Sequence, residues 1–227
     1  YRASDNQFLE DDFRMDFLSL MKEEFKDIQF INNEGWVVGT KGIILYTKDK
    51  GKSWSITKWG DFTLNDIHML DSKKGFVSAD NGVVLSTDNG GRSWSVYDTN
   101  DITLTFTSIT FKDATGIITA NKGRILYTAD SGQTWSLRTI TEAKRKNKLV
   151  DINSVFFVDK TNVWAAGNDG VILHSIDGGN TWTPGRFKEY NYYAVMFLSS
   201  SEGFIAGENG IIIHTDNAGE SWRSDAL

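Results

Sequence analysis

The chain has 227 residues, 40% of them hydrophobic, and a formal net charge of −6. That is enough apolar material for one all-β domain and too acidic a balance for a dedicated nucleic-acid binder. The sequence contains no cysteine, which excludes disulfides, thiolate metal sites and a cysteine nucleophile. No apolar run approaches the roughly 20 residues that span a bilayer.

Residues 1–24 form an N-terminal segment that begins at Tyr1 rather than methionine. A removed leader and an exported location (periplasmic, extracellular or lumenal, with a lipoprotein anchor as one form) are the expectation. Within it, Phe13-Arg14-Met15-Asp16-Phe17 alternates like a strand and precedes Ile28 by the distance an outer strand would. This segment is expected to close a ring; a sixth, partial blade and a chain lacking blades are the alternatives, and all three stay open.

From residue 25 to 227 one unit repeats. Trp54, Trp94, Trp135, Trp182 and Trp222 follow one another at 40, 41, 47 and 40 residues, each with a glycine 12 positions earlier: Gly42, Gly82, Gly123, Gly170 and Gly210. A period of about 40–45 residues predicts propeller blades, here about 25–60, 61–100, 101–140, 149–187 and 190–227.

Each unit opens with a period-2 pair, Ile28/Phe30, Ile67/Met69, Ile109/Phe111, Val155/Phe157 or Val195/Phe197, as an inner strand requires. A second apolar segment follows, such as Trp36-Val37-Val38 or Phe204-Ile205-Ala206. Then comes a tight turn such as Asp80-Asn81-Gly82, and an aliphatic third strand such as Val83-Val84-Leu85. With an outer strand starting at each Trp, every unit has four antiparallel strands. The fold class is therefore an all-β propeller, with five blades favoured and six as the alternative.

Between third and outer strands stands Ser/Thr-x-Asp-x-Gly-x-x-Trp. Asp49/Trp54, Asp130/Trp135 and Asp177/Trp182 match in full, while Asn89/Trp94 and Asn217/Trp222 carry the amide. The pattern needs an acceptor oxygen rather than a charge. The side chain accepts backbone N–H bonds in the turn, the glycine supplies positive φ, and the indole packs beneath. These ten residues are structural.

With these boxes the chain resembles the Asp-box, or BNR-repeat, propellers: sialidases, sortilin-type receptors, some xyloglucanases and the photosystem II assembly factor family. Phe30, Gly35-Trp36-Val37-Val38-Gly39, Gly42-Ile43-Ile44-Leu45 and the box Thr47 to Trp54 are most similar to the last of these. The resemblance covers about residues 25–225 and implies a propeller that serves complex assembly. Members of that family are expected to have seven blades, whereas five boxes occur here.

His174 and His214 share one strand position, where other units have Tyr46, Ser86 and Tyr127, so they read as strand residues and not as metal ligands. Phe13-Arg14-Met15-Asp16 resembles the sialidase Phe-Arg-Ile-Pro signature but lacks its proline, and the chain has only eight arginines. No Gly-x-Ser-x-Gly elbow is present.

More telling is the stretch between Trp135 and Trp182, whose excess length falls in residues 139–150 with the one dense basic run, Lys144, Arg145, Lys146 and Lys148. On the same expected face lie aromatics that the repeat does not require: Trp59, Tyr190, Tyr192 and Tyr193. A solvated loop and packing between blades are the plain readings; a partner-binding face is the functional one.

The sequence thus leads to a non-enzymatic scaffold for protein–protein interaction or complex assembly. Its partner is expected to be an acidic protein, with a glycan as the alternative ligand and no nucleic acid. A glycan- or small-ligand-binding module comes second and a sialidase-like hydrolase last. No catalytic residue, cofactor or metal is assigned.

Overall fold

The computed structural model describes residues 22–224. They form five four-stranded antiparallel sheets and one two-stranded hairpin. The inner strands are Phe25–Ile31, Leu64–Met69, Phe106–Lys112, Ile152–Phe157 and Tyr192–Phe197. Second strands run Glu34–Gly39, Gly75–Ala79, Thr115–Ala120, Val163–Gly167 and Gly203–Gly207; third strands run Ile43–Thr47, Val83–Thr87, Arg124–Thr128, Val171–Ser175 and Ile212–Thr215. Outer strands are Ser55–Lys58, Ser95–Asp98, Ser136–Thr139, Thr183–Arg186 and Arg223–Ser224. The strands of each sheet lie in chain order, so each repeat is one blade, numbered 1 to 5. The ring-closing strand expected at residues 13–17 lies outside the described residues.

Consecutive inner strands pack side by side from blade 1 to blade 5. The core is therefore four separate joints. In the first, Trp36, Val38 and Ile44 of blade 1 meet Leu64, Ile67 and Met69 of blade 2, and the other three joints repeat the arrangement. The period-2 pattern has this cause: both side chains of each pair point to the preceding blade, as Ile67 and Met69 do, while the residue between them points to the following one. A blade buries its faces only against other blades, so none is a folding unit alone.

Every second-to-third-strand turn has two successive residues at positive φ, as in Asn81 (62°) and Gly82 (71°), which suits the right-handed twist of a tight hairpin. The glycine at the second place has a packing reason too. The N–H groups of Gly42, Gly82, Gly123 and Gly170 donate to the carbonyls of Phe62, Leu104, Val150 and Tyr190 in the connector that leads to the next blade. Turns and connectors thus share one face of the molecule.

The boxes share the other face. Asp130 Oδ1 accepts from the Thr134 backbone N–H at 2.9 Å and the Thr128 hydroxyl at 2.7 Å, and Oδ2 accepts from the Thr134 hydroxyl at 2.6 Å. In the amide boxes the hydroxyl reverses its role: Asn89 Nδ2 donates to Ser93 Oγ at 2.8 Å and Asn217 Nδ2 to Ser221 Oγ at 2.9 Å. A hydroxyl that can either donate or accept explains why Asp and Asn are interchangeable here. Gly132, at φ 76°, has no room for a Cβ, which would sit 2.2 Å from Phe76 of the preceding blade. The box glycine is therefore a joint residue as well as a turn residue.

Candidate partner-binding face

The connector between blades 3 and 4 is the longest, and it folds into a hairpin of strands Lys144–Arg145 and Lys148–Leu149. Its turn residues Lys146 and Asn147 both have positive φ, 46° and 63°, the geometry of the tightest hairpins. Buried Ile140, Ala143 and Val150 anchor its base in the joint between blades 3 and 4. The Val150 N–H donates to Ala143 and the Ala143 N–H to Ile140.

Lys144, Lys146 and Lys148 are exposed on this anchored hairpin. Arg145 is folded back instead, in an ion pair with Glu189 of the next connector. Lys122, in the blade 3 turn, and Lys188, beside Glu189, are exposed on the same face. Sequence reasoning missed these two and Glu189, because they fall in different repeats; aligning the turns and connectors of the repeats would have found them.

The aromatics come out differently. Trp59 and Tyr190 are half-buried and pack into the joints between blades 1 and 2 and blades 4 and 5. Tyr192 is 0% exposed, which corrects its assignment to a binding surface. It occupies the inner-strand place of Leu64, Phe106 and Ile152, opposite the end of the second strand, and plugs the joint. Burial pushes its hydroxyl up to about 12, and that hydroxyl donates to the Lys188 carbonyl at 3.1 Å. Tyr193 is exposed, on the open face of blade 5 rather than in a cluster with Trp59.

The titratable groups outside this face have structural surroundings. His174 stacks on Trp164 at 4.1 Å between ring centroids and His214 on Phe204 at 4.6 Å. Burial lowers the pKa of His174 and of His68. Asp66 is held well above the usual carboxylate range by burial, and next by the neighbouring Asp27 carboxyl. Asp66 in turn accepts the Ile109 N–H at 2.9 Å, tying blade 2 to blade 3. Arg138 lies over the Tyr127 ring at 3.7 Å, and Arg223 pairs with Asp216 at 2.7 Å, so these two and Arg145 do not converge.

Five four-stranded blades, each closed by an Asp-box turn, define an Asp-box β-propeller. The family model for photosynthesis system II assembly factor YCF48 matches residues 10–61, 56–144 and 139–227, and the chain belongs to that family. No curated protein matches it in sequence.

Among solved structures, YCF48 from Cyanidioschyzon merolae is 18% identical, with 90% of this chain and 85% of that one covered and a TM-score of 0.59. A structure of YCF48 bound to a D1 peptide is 18% identical over 89% of this chain and 81% of that one, with a TM-score of 0.49. A GH74 enzyme from Niastella koreensis is 16% identical and reaches a TM-score of 0.70 over 88% of this chain, which spans 38% of that enzyme. At such identities the likeness to the C. merolae protein and to the GH74 enzyme is one of fold.

Proposed function

We propose that the chain is a non-enzymatic scaffold that binds an acidic protein partner on its connector face, with the hairpin of residues 144–149 as the charged contact. The observation that carries this reading is the hairpin itself: its base is buried at Ile140, Ala143 and Val150, while Lys146 and Lys148 stand exposed at its tip. A loop held rigid on a scaffold is where function commonly resides, and fixed positive charge speeds encounter with an acidic partner. The exposed edges of Trp59 and Tyr190 belong to the same proposal, and Tyr192 supports the surface from beneath; Tyr193, on the open face of blade 5, stands apart from it.

Membership in a family of assembly factors favours a binding role over catalysis. So does the dispersal of Arg138, Arg145 and Arg223 onto separate partners. An exported location belongs to this reading. Among the described residues no helix is long and apolar enough to cross a membrane.

Reversal of Lys146 and Lys148 to Glu tests it, with Arg145 kept so that Glu189 retains its partner. The melting curve should stay unchanged, while association with a partner captured from the native host slows and loses much of its dependence on ionic strength. If binding and its salt dependence survive the reversal, the hairpin is a solvated insertion and the assignment fails.

A further inference from the structure

The outer rim of the joint between blades 3 and 4 holds a cleft of about 210 Å³. Ile125 and Ile140, which are 1% and 4% exposed, give it an apolar floor, and the Trp182 ring borders it. Its polar groups come from three elements: Arg138 of the blade 3 outer strand, Glu142 of the long connector and Asn180 of the blade 4 box.

The arrangement is particular to this joint. Arg138 stands opposite Ile125, where the other outer strands have Thr57, Tyr97 and Gly185 opposite Ile44, Val84 and Ile172. Tyr97 is packed into the joint between blades 2 and 3, and Thr57 and Gly185 carry no charge. Glu142 belongs to the long connector, and its buried neighbours Ile140 and Ala143 fix that turn against the joint.

Arg138 is held ready for an anion. Its guanidinium lies over the Tyr127 ring at 3.7 Å, Nε donates to Ser136 Oγ at 3.0 Å, and Nη1 donates across the joint to Asn180 Oδ1 at 3.2 Å. A guanidinium has five N–H groups, so these two bonds leave three without an acceptor among the described residues. Glu142 Oε1 accepts the neighbouring Thr141 hydroxyl at 3.2 Å. Neither Arg138 nor Glu142 has an ion-pair partner among the described residues. Both are half-buried, where charge is screened less than on an open surface.

We infer that this cleft binds a small zwitterion, an α-amino acid with an apolar side chain: its carboxylate on Arg138, its ammonium on Glu142, and its side chain on Ile125, Ile140 and the Trp182 ring. The charges select the class. An acid without an amine is opposed by Glu142 and an amine without an acid by Arg138, while an uncharged ligand would cover both charges without pairing them, which is costly. The planar guanidinium suits a carboxylate, which it can hold by two parallel charge-assisted bonds. Volume sets the size. A cavity of about 150 Å³ admits one benzene-sized molecule, and sites for drug-sized ligands begin near about 300 Å³. A cleft of about 210 Å³ therefore suits a single amino acid rather than a peptide or an oligosaccharide. Lys146 and Lys148, at the tip of the basic hairpin, take no part in it.

Titration of the full chain with each standard L-α-amino acid at millimolar concentration, followed by melting temperature and by calorimetry, tests the assignment. An apolar amino acid should raise the melting temperature, as a ligand of the folded state does. Its amide and its N-acetyl derivative, each lacking one charge, should bind at least about tenfold more weakly. The same loss is expected for Arg138→Met, which keeps an aliphatic stem over Tyr127, and for Glu142→Gln. Because Glu142→Gln removes a charge at nearly constant shape, it judges the site even if Arg138→Met fails to fold. The Lys146→Glu, Lys148→Glu chain should bind as the parent does. If no amino acid shifts the melting temperature or gives a calorimetric signal, the inference is overturned. Binding that survives both cleft substitutions, or that is lost with the two hairpin lysines, would place the ligand elsewhere and overturn it as well. So would an equal response to the N-acetyl derivative or to glucuronate, which would make the cleft a site for simple acids.

Discussion

At the scale of single residues, carboxylates are placed in opposite environments, and acid and base should expose the difference. Hydrogen bonds from the Thr134 hydroxyl and backbone N–H, then from Thr128, hold Asp130 down to about 2. Its folded pKa lies below that of the unfolded chain, about 4. The contribution to stability is therefore complete above that value and is lost as pH falls towards about 2. Asp130→Asn should melt near the parent at neutral pH, because the Thr134 hydroxyl can turn round as Ser93 and Ser221 do. It should also lose part of the acid-induced drop, whereas Asp130→Ala should melt lower across the neutral range. An Asn variant as damaged as the Ala variant would show that the charge itself matters.

Asp66 behaves in the opposite sense. Burial, and then the Asp27 carboxyl, raise its folded pKa, so its contribution is present at low pH and lost as pH rises through that value. Asp66→Asn keeps an acceptor for the Ile109 N–H. The melting temperature of this variant relative to the parent should climb with pH; a flat difference would refute the assignment of the proton to Asp66.

At the scale of elements, stability resides in joints rather than in blades, and the second-strand aromatics carry more of it than the box indoles. Trp36 is fully buried, its indole N–H donates to the Gly90 carbonyl at 3.0 Å, and Gly91 of the next blade packs on its ring. Trp36→Ala should cost about 3–5 kcal/mol, the usual range for emptying a large aromatic site. Trp135 is only half-buried, although it meets Phe76 and Phe111 edge-on at 5.7 and 5.8 Å. Its replacement by Ala should cost less. Denaturant midpoints at unchanged slope give the ranking, and a reversed order would sink this view of the joints.

The same joints explain where reading the sequence fell short. Tyr192 stands among Tyr190, Asn191 and Tyr193, a polar and aromatic cluster that looks like a surface loop. Its place three residues before Val195 equals that of Leu64 before Ile67 and Phe106 before Ile109, and that register decides its burial. Trp59 is hard to place for a related reason: its neighbours are polar, and its packing in the joint between blades 1 and 2, with the turn of Gly42 folded against its carbonyl, is set by another repeat.

At the scale of the whole molecule, the arc is held by apolar joints and hydrogen-bonded turns. Among the described residues there is no group of three or more His, Cys, Asp or Glu side chains that could hold a metal ion. Treatment with a chelator should therefore leave the melting temperature unmoved at neutral pH, since a structural metal would make folding depend on it. A marked fall would mean that a cation stabilises the blades after all.

What the sequence determined by itself is everything that repeats. Strand period, turn glycines and boxes are local signals, each fixed by backbone sterics and short-range hydrogen bonds, and five copies in register reinforce one another from Ile28 to Trp222. Tertiary structure alone decided which faces are left open and which side chains surround the basic hairpin. Exposure of Ile28 or Ile212 depends on whether another blade stands beside it, and Arg145 meets Glu189 only because consecutive connectors lie on the same face. Both depend on contacts between repeats, and a pattern confined to one repeat carries no information about its neighbour.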